Sequence, residues 1–301
     1  MNDLNNNQCP LCHATTENKL ICTYPGLFLS CKVLLQCQTC DLVFADKLPS
    51  KGELNEYYSS GLFYDKDSNP YNPSILEFSH KLSESRLSFI FKHIGTQQTS
   101  PKVIDIGAGN ARFGFVLKEL LQTAVYDAVE PDLEIRKKYG SWVNNQFHEI
   151  NDVKVMDYDL VILNQVLEHV PDPVDFLEFV CALLKQNGYL YIDVPFKDYL
   201  FKPSVEGHVL FFNKHSMSIL LKKLEMDLIF CDTTGMPHDI AKKYFFQNSF
   251  VQKLINPWLY MEKINQMIRK IGLDQGFDTF KRFQADHYGG NRQWLRCIAK
   301  K

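Results

Sequence analysis

Apolar positions recur along this chain with two different periods, and their alternation predicts its architecture. Short apolar runs at 103–106 (VIDI), 124–130 (AVYDAVE), 159–164 and 189–194 read as buried strands. Each is bounded by turn residues. Between them, apolar positions return at helical spacing. Upstream, residues 74–94 carry Ile75, Phe78, Leu82, Leu87, Ile90 and Ile94 on one stripe, which predicts an amphipathic helix leading into the first strand. Strands alternating with helices imply a parallel, doubly wound α/β sheet. MDLIFCDTT (226–234) predicts a sixth strand and QWLRCIAKK (293–301) a last one. The stretch between them, about 236–290, reads as a helical insertion broken at Pro257.

The first strand runs directly into glycines at 107 and 109, and a helical pattern follows. Glycine allows backbone conformations and close ligand approaches that a side chain blocks, so this unit reads as a nucleotide or cofactor cradle. The nicotinamide fingerprint requires a further glycine at position 112, where this chain has Arg112. Asp105 sits two residues before Gly107, where its charge repels a pyrophosphate and favours an ammonium or sulfonium group. Glu130 lies 21 positions after Gly109, at the end of the next apolar run. That places an acid to accept both hydroxyls of an unphosphorylated ribose. A cationic end and a free ribose together fit S-adenosylmethionine (SAM) better than a dinucleotide.

These residues bring out a family. DIGAGNARFG, AVEP, YDLVILNQVLEHVPDP and LLKQNGYLYIDVP resemble, in order, the successive motifs of class I SAM-dependent methyltransferases, across roughly residues 100–235. The resemblance implies a Rossmann-like sheet whose last strand runs antiparallel. It implies SAM contacts from Asp105, Gly107, Gly109 and Glu130, with Asn164 near the methyl group and Ile150–Asp152 near the adenine. Asn110 stands where the family usually has glycine; asparagine tolerates a left-handed conformation, so SAM binding is expected to survive.

Cys9 and Cys12, with Cys37 and Cys40, form two C-x2-C pairs separated by 24 residues. Two such pairs predict a closed, structural tetrahedral zinc site; Cys22 and Cys31, inside the loop, leave the ligand set open. The following segment, CDLVFADKLPSKGELNEYY, resembles the zinc-binding region ahead of some class I methyltransferases, including sugar C-methyltransferases. The expected organisation is a small zinc-ribbon-like domain (1–60), a connecting helical segment (61–100) and a SAM domain (101–301). Tyr57, Tyr58 and Tyr64 are expected near the active-site mouth or in plain inter-domain packing.

A methyl acceptor that is a hydroxyl or carbon acid needs its proton removed, and histidine is the usual acceptor. His208, in VEGHVLFFNKHS, is the first candidate, although Val205 and Glu206 replace the tyrosine usual in the sugar C-methyltransferases. A helix-capping or backbone-bonding role is the alternative. His169, in the EH pair of LNQVLEHVPDP, is the second; Glu168 and His169 could instead hold that loop to the sheet. His238 and His287 are weaker candidates.

The bulk numbers change the picture little. The 301 residues carry a formal net charge of −2, with four basic against six acidic residues in 1–60 and twelve against five in 236–301. A basic C-terminal part suits a phosphorylated or acidic acceptor, or is a solvated helix face. No run is long enough to span a bilayer and the first residues lack a signal-peptide pattern, so a cytoplasmic enzyme is expected. The leading expectation is methyl transfer to a small or carrier-linked acceptor such as a sugar or polysaccharide precursor. RNA or protein methylation using the zinc ribbon and basic part, and a non-catalytic SAM-binding scaffold, are the alternatives.

Overall fold

The computed structural model describes residues 8–15, 19–23, 33–59, 70–95, 99–200, 207–235, 237, 240 and 293–301. In chain order, β1 (Lys19–Thr23), β2 (Val33–Gln36) and β3 (Val43–Ala45) precede α1 (Lys51–Ser59) and α2 (Pro73–Ile94). Then come β4 (Lys102–Ile106), α3 (Arg112–Leu120), β5 (Val125–Val129), α4 (Leu133–Arg136), β6 (Asn145–Phe147) and β7 (Tyr158–Asn164). The chain continues through α5 (Pro173–Leu183), β8 (Leu184–Pro195), β9 (Leu210–Phe211), α6 (Lys214–Lys223), β10 (Asp227–Thr234) and β11 (Trp294–Lys300).

Seven strands form the main sheet in the order β10-β11-β8-β7-β4-β5-β6. The five strands from β8 to β6 pair in parallel, and β11 is antiparallel to both neighbours. Strand order reverses direction between β4 and β7, the place where doubly wound sheets bind ligands. The central strands read as near-continuous apolar runs because both faces are covered. Leu87, Phe89 and Ile90 of α2 and Phe113, Val116 and Leu117 of α3 pack on one face. Leu177 and Val180 of α5 and Met217, Leu220 and Leu221 of α6 pack on the other.

The predicted strands and the long helix are all present. Five strands, β1, β2, β3, β6 and β9, answer to no predicted run; β6 spans three residues and β9 two. β8 begins five residues before the apolar run, because the edge segment LKQNG pairs across a register irregularity opposite β7. Asn187, at φ 64°, absorbs the left-handed turn there.

A second sheet, β1-β2-β3-β9, takes its fourth strand from the far side of the sequence. Val43 and Phe44 of β3 register with Phe211 and Leu210 of β9. Leu11, Leu34, Leu42 and Phe44 are buried in one continuous core with Phe212, Met217 and Leu221. Lys223 Nζ donates to the Leu11 carbonyl at 2.9 Å, and Asn213 Nδ2 to that of Asp41 at 2.8 Å. The insertion at about 236–290 lies outside the described residues, apart from Pro237 and Ile240.

Candidate active site

The turn after β4 is held from the strand beside it. The N–H groups of Gly107 and Ala108 both donate to the Val129 carbonyl, at 2.8 and 3.0 Å. Gly107 has φ +72°, and a Cβ there would stand 2.6 Å from Val166 Cγ2, so the position demands glycine. Gly109 is also left-handed, at φ 54°. Asn110 is not among the left-handed residues; Ala111 is, at φ 51°. The expectation that Asn110 substitutes for glycine by adopting that conformation is therefore corrected. Its side chain instead accepts from the Arg112 N–H at 3.1 Å, opening α3, and donates to the Pro70 carbonyl at 3.0 Å.

Asp105 ends inside the protein, 2% exposed. One carboxylate oxygen accepts from Tyr126 Oη at 2.8 Å. The other, Oδ1, is buried with no hydrogen-bond partner among the described residues, as is Asn164 Oδ1 at the end of β7. Burial pushes the Asp105 carboxyl up to about 7, against the lowering effects of Tyr126 and Arg86. Tyr126 reaches Asp105 because residue 114 is glycine: a Cβ there would lie 2.2 Å from the Tyr126 ring. Glu130 Oε2 accepts from the Gly109 N–H at 2.8 Å and Oε1 from the Asp132 N–H at 3.0 Å. Burial raises the pKa of Glu130, with those two N–H donors opposing it. Each oxygen retains acceptor capacity for a further donor. Two unmet acceptors and a braced carboxylate at the strand-order switch suit a ligand with an ammonium group and a ribose. Ile150–Asp152 forms a 3-10 turn after β6.

Asp193, at the end of β8, anchors a second buried set. Its Oδ2 accepts from Arg86 Nε (3.0 Å), Arg296 Nε (3.1 Å) and Tyr191 Oη (3.1 Å), and its Oδ1 from Gln165 Nε2 (3.1 Å). Gln165 sits at φ 56°, turning the chain sharply after Asn164.

The two candidate histidines converge although 39 positions separate them. Their rings lie 4.8 Å apart, edge to face. Glu168 joins them, with Oε1 at 3.8 Å from His169 Nε2 and 3.9 Å from His208 Nε2. His169 Nδ1 lies 3.3 Å from the Gly207 carbonyl, and Tyr58 packs edge-on against its ring at 5.8 Å. His208 caps no described helix; Asn213 caps α6. Its Nδ1 lies 2.8 Å from Asp198 Oδ2. Sequence reasoning missed Asp198, which lies outside every motif, and Tyr126 and Asp193, which lie within the strand runs 124–130 and 189–194 but carry no spacing signal of their own.

At the other end of the small sheet, Cys9, Cys12, Cys37 and Cys40 present sulfur atoms all within 4.8 Å of one another. Both knuckles share one geometry. His13 N–H donates to the Cys9 carbonyl and Asp41 N–H to that of Cys37, and His13 and Asp41 are left-handed at φ 58° and 59°. Four sulfurs so gathered are a donor set suited to a tetrahedral ion. Cys31, Tyr64, Val205, Glu206, His238 and His287 lie outside the described residues, as does the side chain of Cys22.

The family model described as a methyltransferase domain matches residues 76–270. This chain belongs to that family. With its sheet order it is a class I SAM-dependent methyltransferase. The methyltransferase is 27% identical over 187 residues to the ubiquinone biosynthesis O-methyltransferase of Haemophilus ducreyi, spanning 52% of this chain and 72% of the relative. It is 25% identical over 222 residues to that of Rickettsia typhi, spanning 64% and 87%. Its fold superposes on the plantazolicin methyltransferase BamL, solved with a triazolic desmethylPZN analogue and SAH, at TM-score 0.50. There the identity is 12%, and 82% of this chain and 94% of that one are covered.

Proposed function

We propose that this methyltransferase transfers the SAM methyl group to a small or carrier-linked acceptor bearing a hydroxyl, of which a sugar precursor is the expected class. The observation that carries the acceptor reading is the buried cluster of His208, His169 and Glu168 beyond β7 and β8. An acceptor with a proton to lose needs such a group. The two relatives named O-methyltransferases support an oxygen acceptor.

The proposed division of labour follows the geometry. Asp105 would take the methionine ammonium through its unmet oxygen, with Asn164 near the methyl group. Gly107 and Gly109 let the backbone approach, and Glu130 would hold the ribose hydroxyls. When bound, the cofactor supplies an activated methyl group on a good leaving group. His208 Nε2 would take the proton that the acceptor hydroxyl gives up when it is methylated. His169 and Tyr58 line the same cluster, and Glu168 balances the proton received.

Cys9, Cys12, Cys37 and Cys40 would hold a structural zinc, in keeping with reduced thiols in the cytoplasm. Residues 1–60 then act as a zinc-binding unit, 61–100 as a connector and 101–301 as the SAM domain, with β9 lent to the smaller sheet. No described helix is long and apolar enough to cross a membrane.

The deciding experiment incubates the protein with methyl-labelled SAM and fractionated host metabolites. Label in a hydroxyl-bearing small molecule is expected, and its loss in His208→Gln. Label appearing only in RNA or protein, or in no fraction at all, refutes the reading.

A further inference from the structure

We propose that Asp198 is the positioning residue of His208, fixing the imidazole as its Nδ1–H tautomer and leaving Nε2 as the free acceptor. This rests on the reading of His208 as the proton acceptor. Asp198 opens the 3-10 turn Asp198–Leu200 just after β8, and His208 stands two residues before β9. No sequence motif links them. The structure brings Nδ1 and Oδ2 to 2.8 Å with both side chains buried, at 6% and 1% exposed.

An ionised carboxylate only accepts, so Nδ1 must be the donor. A charge-assisted bond shielded from water is among the stronger kinds. The opposite nitrogen has no such tie to Glu168: 3.9 Å from Nε2 to Glu168 Oε1 exceeds hydrogen-bond distance. The ring cannot turn freely, because His169 packs edge-on at 4.8 Å and Phe211 at 6.4 Å. The backbone beside it is clamped as well. Val209 N–H donates to the Glu168 carbonyl at 2.8 Å, and Ala45 N–H donates to the Val209 carbonyl at 2.9 Å. His169, facing the same cluster, directs its Nδ1 to a backbone carbonyl instead. A backbone carbonyl is enough to anchor a loop. A buried carboxylate is costly to desolvate, and its particular advantage is to stabilise the positive charge that His208 acquires with the acceptor proton. The proton reaching Nε2 gives an imidazolium whose Nδ1–H stays on Asp198; the carboxylate itself is not protonated.

The test uses the full chain labelled with 15N-histidine, with His208→Gln assigning the resonance. In the wild type, long-range 1H–15N spectra should show neutral His208 protonated on Nδ1. Asp198→Asn, whose amide can donate to Nδ1, should move the population toward Nε2–H, and Asp198→Glu should restore it. On the labelled metabolite fraction, Asp198→Asn should lower kcat about hundredfold or more with KM for SAM unchanged. Wild-type His208 already protonated on Nε2, or a tautomer indifferent to Asp198→Asn, overturns the inference. Should the Asn variant not fold, the wild-type and Asp198→Glu spectra decide alone. Full methyl transfer by His208→Gln would instead refute the proton-acceptor reading and leave the tautomer result standing.

Discussion

At the residue scale the proposed cofactor site turns on two buried carboxylates held by different partners. Asp105 is buried against Tyr126 and pushed up to about 7, whereas Glu130 is braced by two backbone N–H groups. A cation bonded to Asp105 favours its ionised form. The affinity for S-adenosylhomocysteine, whose ammonium group persists, should therefore fall as pH drops below about 7, by up to about tenfold per unit. Calorimetric titration between pH 5.5 and 8 checks this, and Asp105→Asn should flatten the curve. The linkage to stability has the opposite sense. A carboxyl raised in the fold favours the folded state when protonated, so the ligand-free protein gains from Asp105 as pH falls through that value. Glu130→Ala removes the proposed ribose acceptor and should weaken the same ligand about 10- to 100-fold, on the basis of one or two charge-assisted hydrogen bonds. Unchanged affinity would remove Glu130 from the site.

At the element scale the glycines divide by purpose. Gly107 serves a left-handed turn closed on by Val166, while Gly114, on α3, clears space for the Tyr126 ring. Gly114→Ala should cost about 1–3 kcal/mol through overpacking. By displacing Tyr126 it should also weaken ligand binding through Asp105. Thermal unfolding and calorimetry on one sample separate the two effects; an unchanged melting temperature would mean that the ring yields freely. The turn itself was legible in sequence, because glycine, acid and apolar run follow one another within a few residues. The error at Asn110 was equally local. Left-handed tolerance pointed to asparagine, yet the chain placed Ala111 in that conformation and spent the Asn110 amide on Arg112 and Pro70.

At the scale of the whole molecule the small sheet and the loop carrying Glu168 and His169 are one hydrogen-bonded assembly. β3 pairs with β9, whose neighbour Val209 bonds to Glu168, and the four sulfurs lie at the far end of the same sheet. The purified protein should carry about one zinc per chain, and its removal by a strong chelator should lower the melting temperature. Cys37→Ser should do the same, and both changes should broaden the histidine resonances of His208. Metal-free protein with an unaltered unfolding profile would refute a structural ion.

What could be read from residues in order concerns short-range physics. Apolar period sets strand and helix, glycine beside an acid sets the cradle, and two C-x2-C pairs set the knuckles. All of these depend on neighbours a few positions away. The rest depends on chain reversal in three dimensions. Sequence motifs named His169 and His208 separately, but no spacing rule places Asp198 on one and Glu168 between both. Nor does composition disclose that Leu210 and Phe211 complete a sheet begun near the N-terminus. Those pairings arise because apolar surfaces distant in sequence must share one core, and the polar groups carried with them must then find partners where the packing leaves them.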